Sequence, residues 1–199
     1  MRIKLKEKQI TCCNRTSLYM NKAFLRCHVH NRKRNEMVKN IFLIRHADAL
    51  LPETGQRDFD RRLSETGRKQ ALLLGEHIEA LHMPIQSIYT SPSFRTLETT
   101  LQVTSQLKDK PRLVEAEEFY AATEKLMIAS ITRLDDLFET VAVIAHNPAI
   151  GLAFEYFSGE HGRGYSPATC AWLQFEIDSW KHLSMGMGQV KDFYYPGSL

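Results

Sequence analysis

The sequence has no run of about 18 consecutive apolar residues, the length at which a segment reads as a membrane span, so no membrane association is expected. It is short of cysteine. Of four in 199 residues, Cys12, Cys13 and Cys27 lie within the first 36, and Cys170 stands alone in the rest. One body thiol argues against a disulfide framework and for a reducing compartment, taken here as the cytoplasm. Residues 1–36 lack the apolar core, roughly 7–15 residues long, of a secretory signal, and their low Ser and Ala content is unlike a transit peptide. Acidic residues are also scarce there. Ten Lys/Arg and two Glu give a surplus of +8, leaving 16 of the 26 basic and 21 of the 23 acidic residues in 37–199, a net of −5. The overall +3 therefore joins a basic leader to a mildly acidic body.

We read residues 1–36 as a basic, poorly ordered extension, with Met37 as the natural start of a domain over 37–199. Cys27-His28-x-His30 resembles half of a metal site, yet no second ligand pair follows at zinc-finger spacing. Asn14-Arg15-Thr16 matches the glycosylation pattern in a chain that otherwise does not look secreted. There are no internal repeats and no low-complexity tract. With 43% hydrophobic and 25% charged residues over 199 positions, the chain reads as one soluble globular domain with a sizeable core.

Ile41 to Ile44 is continuously apolar, as a strand buried on both faces should be. A polar loop over 47–62 leads to Ser64, a predicted N-cap, and Ala71, Leu74, Ile78 and Leu81 follow at helical spacing. Pro84 marks that helix's end, and Ile88-Tyr89-Thr90 predicts a short strand closed by Ser91-Pro92. Phe94, Leu97 and Leu101 form a second helical stripe, residues 112–114 a third strand, and Met127, Ile131, Leu134 and Phe138 a third helix. Val141 to Ala145 is the clearest strand, followed by His146-Asn147-Pro148 and a helix to about Phe157. Residues 169–177 and about 183–195 read as strands closing one edge. The alternation predicts an α/β three-layer sandwich with a mostly parallel central sheet.

Ligands of open parallel sheets bind outside the carboxyl ends of the strands. Three such ends carry cations: Arg45 and His46 after the first strand, Arg95 in the helix after the second, and His146 after the strand at 141–145. On this topology they can converge on one crevice, with few competing acids. Phosphate is the ligand such a crevice suits, because guanidinium forks bind its oxygens through paired charge-assisted hydrogen bonds.

These residues resemble the histidine phosphatase superfamily, with its phosphoglycerate-mutase-like fold, and most closely its small SixA-like phosphohistidine phosphatase branch. "FLIRHADA" resembles the family's Arg-His-Gly/Ala motif, and "DFDRRLSETGRKQA" the segment leading into its first helix. "SIYTSPSFRTLETT" is similar to Ser-Pro-x-x-Arg-x-x-x-Thr, "VAVIAHNPAIG" to the second-histidine segment and "DFYYPGSL" to the branch's close. The resemblance implies His46 as nucleophile, Arg45 and Arg95 as phosphoryl clamps, and His146 as a further donor. It implies no cofactor or metal, and a substrate that is a phosphohistidine protein or a small phosphorylated molecule.

It also implies a domain without the large cap insertion, because only 50 positions separate Arg95 from His146. The site should be open. No proton-donating acid is evident: Ala121 stands where related sequences often carry a polar or acidic residue, which leaves Glu117, Glu118 and Asp48 as candidates. Taken singly, Arg45-His46 reads as a solvated strand end, Arg95 as a surface charge and His146 as a turn residue. A metal site of His46, Asp48 and His146 is disfavoured by the flanking arginines. His77, His82, His161 and His182 are read as structural. The leading expectation is a metal-independent phosphohistidine phosphatase working through a phosphohistidine intermediate. The alternatives are a phosphatase of small phosphoesters or phosphosugars, and a non-catalytic phosphate- or nucleic-acid-binding module using the leader. Nucleic acid is not the expected partner.

Overall fold

Apolar runs in the middle of the chain become the centre of a six-stranded sheet. Its strands are β1 (Lys39–Arg45), β2 (Ser87–Thr90), β3 (Arg112–Glu115), β4 (Thr140–Ala145), β5 (Cys170–Phe175) and β6 (Gln189–Tyr194). Their order is β3-β2-β4-β1-β5-β6. The first four run parallel, while β5 and β6 close one edge antiparallel. This is a computed structural model, and it describes residues 38–197. The extension over 1–36, its Cys27/His28/His30 group, Asn14-Arg15-Thr16 and Met37 lie outside the described residues, as do Ser198 and Leu199 of the closing segment.

Central β1 and β4 have no exposed face, which is why their sequences are unbroken rather than alternating. Ile41, Leu43, Val141 and Val143 point to one side, Phe42, Ile44, Ala142 and Ile144 to the other. Four helices cover the two sides: α1 (Glu65–Ala80), α2 (Phe94–Gln106), α3 (Glu124–Ile131) and α4 (Ala149–Ser158). Residues of α1 and α2 pack with Phe42 and Ile44, and residues of α3 and α4 with Ile41 and Leu43. The α/β sandwich follows. Among the described residues, no helix is long and apolar enough to cross a membrane.

Ser64 caps α1, its hydroxyl accepting from the Gly67 amide. The helix stops at Ala80, so Leu81 is its cap rather than its last buried turn, and the chain has already left the helix before Pro84. Two stripes predicted from the sequence need correction. In α2 the buried face is Arg95, Thr96, Thr99, Thr100 and Val103, while Phe94 and Leu101 are 36% and 60% exposed. The helix is rotated so that its polar side meets the sheet ends. In the third case the helix ends at Ile131, and Leu134 and Phe138 come from the turn after it. The closing strands are also shorter than expected, with a 3-10 turn at Trp180–His182 between them.

Between β1 and α1 a long loop returns to the body. Gly67 marks where its backbone presses closest, since a Cβ there would lie 1.9 Å from the Asp48 carbonyl oxygen. Gly67→Ala should therefore displace this loop and destabilise the protein by about 1–3 kcal/mol, as overpacking does. Gly164→Ala meets nothing within 4 Å and should be nearly neutral. Thermal unfolding of the two variants checks the difference.

Candidate active site

The register of the parallel strands sets the site. Arg45 pairs with Ala145, and Thr90 with Ile144, so β1, β4 and β2 end side by side. The residues that follow are locked together by backbone bonds: the His46 amide donates to the Ala145 carbonyl, and the Ser91 amide to Ile144. One side chain joins the two motif segments. Thr99 Oγ1 donates to the Arg95 carbonyl at 2.7 Å and accepts from the Ala47 amide at 3.1 Å.

The structure brings His46, Arg95 and His146 together, with Arg45 beside them. The two imidazole centroids are 5.1 Å apart. His46 Nδ1 lies 2.7 Å from the Ala47 carbonyl oxygen, which can only accept. The proton is therefore on Nδ1, and Nε2 keeps its lone pair. Arg95 Nη2 donates to His146 Nδ1 at 3.3 Å, so the His146 proton is on Nε2, donated to Ser91 Oγ at 2.9 Å. Arg45 Nη1 is held by the Tyr165 carbonyl oxygen at 2.8 Å. Among the described residues, the buried Nε groups of Arg45 and Arg95 have no hydrogen-bond partner.

Three partners escaped the sequence reading. It expects few competing acids, yet Asp58 enters the crevice from the long loop. Its carboxylate accepts from Arg95 Nη2 at 2.8 Å and from Arg61 Nη1 at 3.0 Å, and its carbonyl oxygen accepts from Arg95 Nη1 at 2.6 Å. Tyr120 donates its hydroxyl to the same carboxylate at 3.3 Å. The signal was present in "DFDRRL", where acids and arginines alternate, but that spacing reads equally as solvated charge. Nothing at the sequence level distinguishes Tyr120 from other aromatics.

Of the three proton-donor candidates, Asp48 lies close enough to Arg45 for its charge to work against burial, which lowers the guanidinium's pKa. Asp48 accepts from Ser64 Oγ, and Glu117 and Glu118 are exposed. Among the described residues no three His, Cys, Asp or Glu side chains group as metal ligands. Outside the site His77 pairs with Asp192, His161 with Glu155 and His182 with Asp178, while His82 occupies a left-handed turn at φ 53°.

Burial lowers the His46 pKa to about 4, helped by the charges of Arg95, Arg45 and Arg61 and opposed by the bond to Ala47. Burial, His46 and Arg95 likewise lower His146 to about 3. Both rings are neutral at pH 7. Burial works to raise the Asp58 pKa, but its bonds to Arg61 and Arg95 outweigh that and hold the carboxyl below its usual range. Burial, and then the same carboxylate, raise the Tyr120 phenol, which stays protonated.

A stability slope follows from the two histidines. Below pH 6.5 the unfolded chain binds protons that the folded one refuses, so stability should fall as pH falls, the His46 contribution levelling off near pH 4 and that of His146 near pH 3. The loss per histidine should be roughly 3–5 kcal/mol when complete. Denaturant unfolding from pH 7 to 4 should show a shallower slope in His46→Gln and His146→Gln than in the parent.

Residues 41–119 match the family model described as the histidine phosphatase superfamily (branch 1). The mitochondrial serine/threonine-protein phosphatase PGAM5 of Xenopus laevis is 26% identical over 175 residues, covering 80% of this chain. The chain spans 62% of that protein's length, and 28% of its Xenopus tropicalis counterpart, which is 35% identical over 79 residues. Among solved structures, the SixA protein of Agrobacterium tumefaciens superposes with a TM-score of 0.69 at 23% identity, covering 79% of this chain and 98% of that one. The protein histidine phosphatase SixA complexed with tungstate gives 0.67 at 21% identity, covering 79% and 97%. At these identities the superpositions establish a shared fold, the phosphoglycerate-mutase-like sandwich without a large cap insertion. The family match is confined to 41–119, the stretch that carries Arg45, His46 and Arg95, and over it the chain is similar to the histidine phosphatase superfamily.

Proposed function

We propose that this protein is a metal-independent phosphohistidine phosphatase that works through a covalent intermediate on His46. The observation that carries the reading is the His46 ring: its Nδ1 proton is tied to Ala47, its Nε2 lone pair is free, and three arginines surround it. A neutral imidazole is a ready nucleophile, where a serine would need a separate base. Arg45 and Arg95 supply the charge that a phosphoryl transition state requires. A related fold is known with tungstate, a tetrahedral oxyanion, which is consistent with an oxyanion site here.

In the first step His46 Nε2 bonds to phosphorus as the bond to the leaving group breaks. Water then attacks the phosphohistidine, releasing inorganic phosphate and restoring the neutral ring. Neutral His146 keeps its proton on Nε2 and can turn that N–H from Ser91 to a phosphoryl oxygen, so it adds a donor without adding an acid. Asp58 is held ionised and is also a poor acid. Expelling an alkoxide needs a proton in the transition state, whereas a protonated imidazole leaves as a neutral ring. The site therefore favours P–N over unactivated P–O substrates. The PGAM5 relatives carry a serine/threonine-protein phosphatase name, which makes phosphoserine peptides the informative competitor.

His46→Ala should abolish turnover of a phosphohistidine protein while leaving the melting transition in place. Rapid quench of the parent should give acid-labile phosphate on His46, and label on an aspartate or cysteine would reject the mechanism. Arg45→Lys and Arg95→Lys should each lose about 10²–10³ in rate, because a point charge cannot reproduce the fork. In a panel of phosphohistidine, p-nitrophenyl phosphate, phosphoserine peptide and sugar phosphate, the order of activity should follow that sequence. Efficient sugar phosphate hydrolysis would move the protein to the small-phosphoester reading.

A further inference from the structure

A row of aromatic rings starts at the site histidine His146. Tyr120 stands edge-on to His146 with centroids 5.8 Å apart. Phe59 meets Tyr120 at 5.0 Å, and Phe94 meets Phe59 at 6.2 Å. The outer end is held by Arg62, whose guanidinium lies 5.0 Å over the Phe94 ring while bonding Glu98 at 2.6 Å.

Core packing does not account for these rings. Phe59, Phe94 and Tyr120 belong to neither of the two buried clusters that flank the sheet. Phe59 sits on a 3-10 turn with no buried residue, and Phe94 projects from the outward face of α2 at 36% exposure. Three separate segments nonetheless deliver a ring to one line that begins at a site histidine. Aromatic surface kept half-exposed beside a cationic pocket is suited to a ligand with a charged end and a flat apolar end.

We propose that Tyr120, Phe59 and Phe94 form a ledge that receives the ring of the substrate, so that specificity is for a phosphoryl group bonded directly to a planar ring, as in phosphohistidine. This rests on the phosphoryl site assigned above and adds the identity of what the phosphoryl group is attached to. The leaving group lies opposite the attacking His46 nitrogen in an in-line displacement, and therefore points out of the crevice past its rim. A ring there stacks on or meets the edges of the ledge; an aliphatic chain gains little from it.

Phosphonates test this without turnover. Phenylphosphonate carries its ring directly on phosphorus, benzylphosphonate places one atom between, as phosphotyrosine does, and methylphosphonate offers a similar charged head without a ring. By calorimetry the parent should bind phenylphosphonate roughly three- to ten-fold more tightly than methylphosphonate, the gain typical of aromatic contacts. The Phe59→Leu/Phe94→Leu double variant should bring that ratio close to one. Equal affinity of the parent for the phenyl and methyl compounds overturns the ledge while leaving the phosphoryl site standing. Tightest binding of benzylphosphonate overturns the direct-bond specificity and points to a phenol ester. Failure of the parent to bind any phosphonate overturns the phosphoryl site, and the ledge with it. Should the double variant prove unstable in thermal unfolding, the parent's ratio alone decides.

Discussion

Arg95 is buried to 6% exposure, and a guanidinium removed from water must be met by acceptors. Asp58 supplies two, its carbonyl and a carboxylate oxygen, and His146 Nδ1 a third. Much of the surrounding architecture follows from that requirement. The long loop after β1 has to bring Asp58 within reach, so it is pinned by the Ala49–Leu63 bridge and by the Asp48 carbonyl pressing on Gly67. The helix carrying Arg95 has to turn its polar side inward. Its threonines satisfy themselves there, Thr96 and Thr100 donating to carbonyls one turn back or to the preceding loop, and Thr99 tying Arg95 to Ala47.

The same cation has an electrostatic consequence. Arg95, Arg45 and Arg61 around two buried imidazoles make protonation of either ring costly, so each stays neutral and each tautomer is dictated by a neighbouring oxygen or guanidinium. Protonation state and hydrogen-bond direction are thus set by the charge distribution rather than by any residue of the pair alone. Asp58 moderates the field without cancelling it, and its own ionised state is a result of the arginines it serves.

Architecture and chemistry meet at the strand ends. Because β2, β4 and β1 are adjacent and in parallel register, residues more than forty positions apart in sequence arrive at one edge without any dedicated scaffold. The opposite arrangement holds at the rim, where Phe59, Phe94 and Tyr120 come from a 3-10 turn, a helix start and another short turn. Rim residues are held by local turns rather than by the ladder of the sheet.

The sequence by itself determined the central strands, the cap at Ser64 and the succession of strand and helix, because unbroken apolar runs and a capping serine act over a few neighbouring residues. It also showed the Arg45-His46, Arg95 and His146 segments, since each directly follows a strand signal. Only the tertiary structure decided which way α2 faces. Its apolar residues gave a plausible buried stripe, but the need to turn Arg95 and Thr99 toward the sheet ends overrode it and left Phe94 and Leu101 outside. Nor could the sequence single out Asp58 or Tyr120. Their roles depend on contacts 37 and 62 positions apart, and an acid in an arginine-rich loop looks the same whether it is solvated or answers a buried charge.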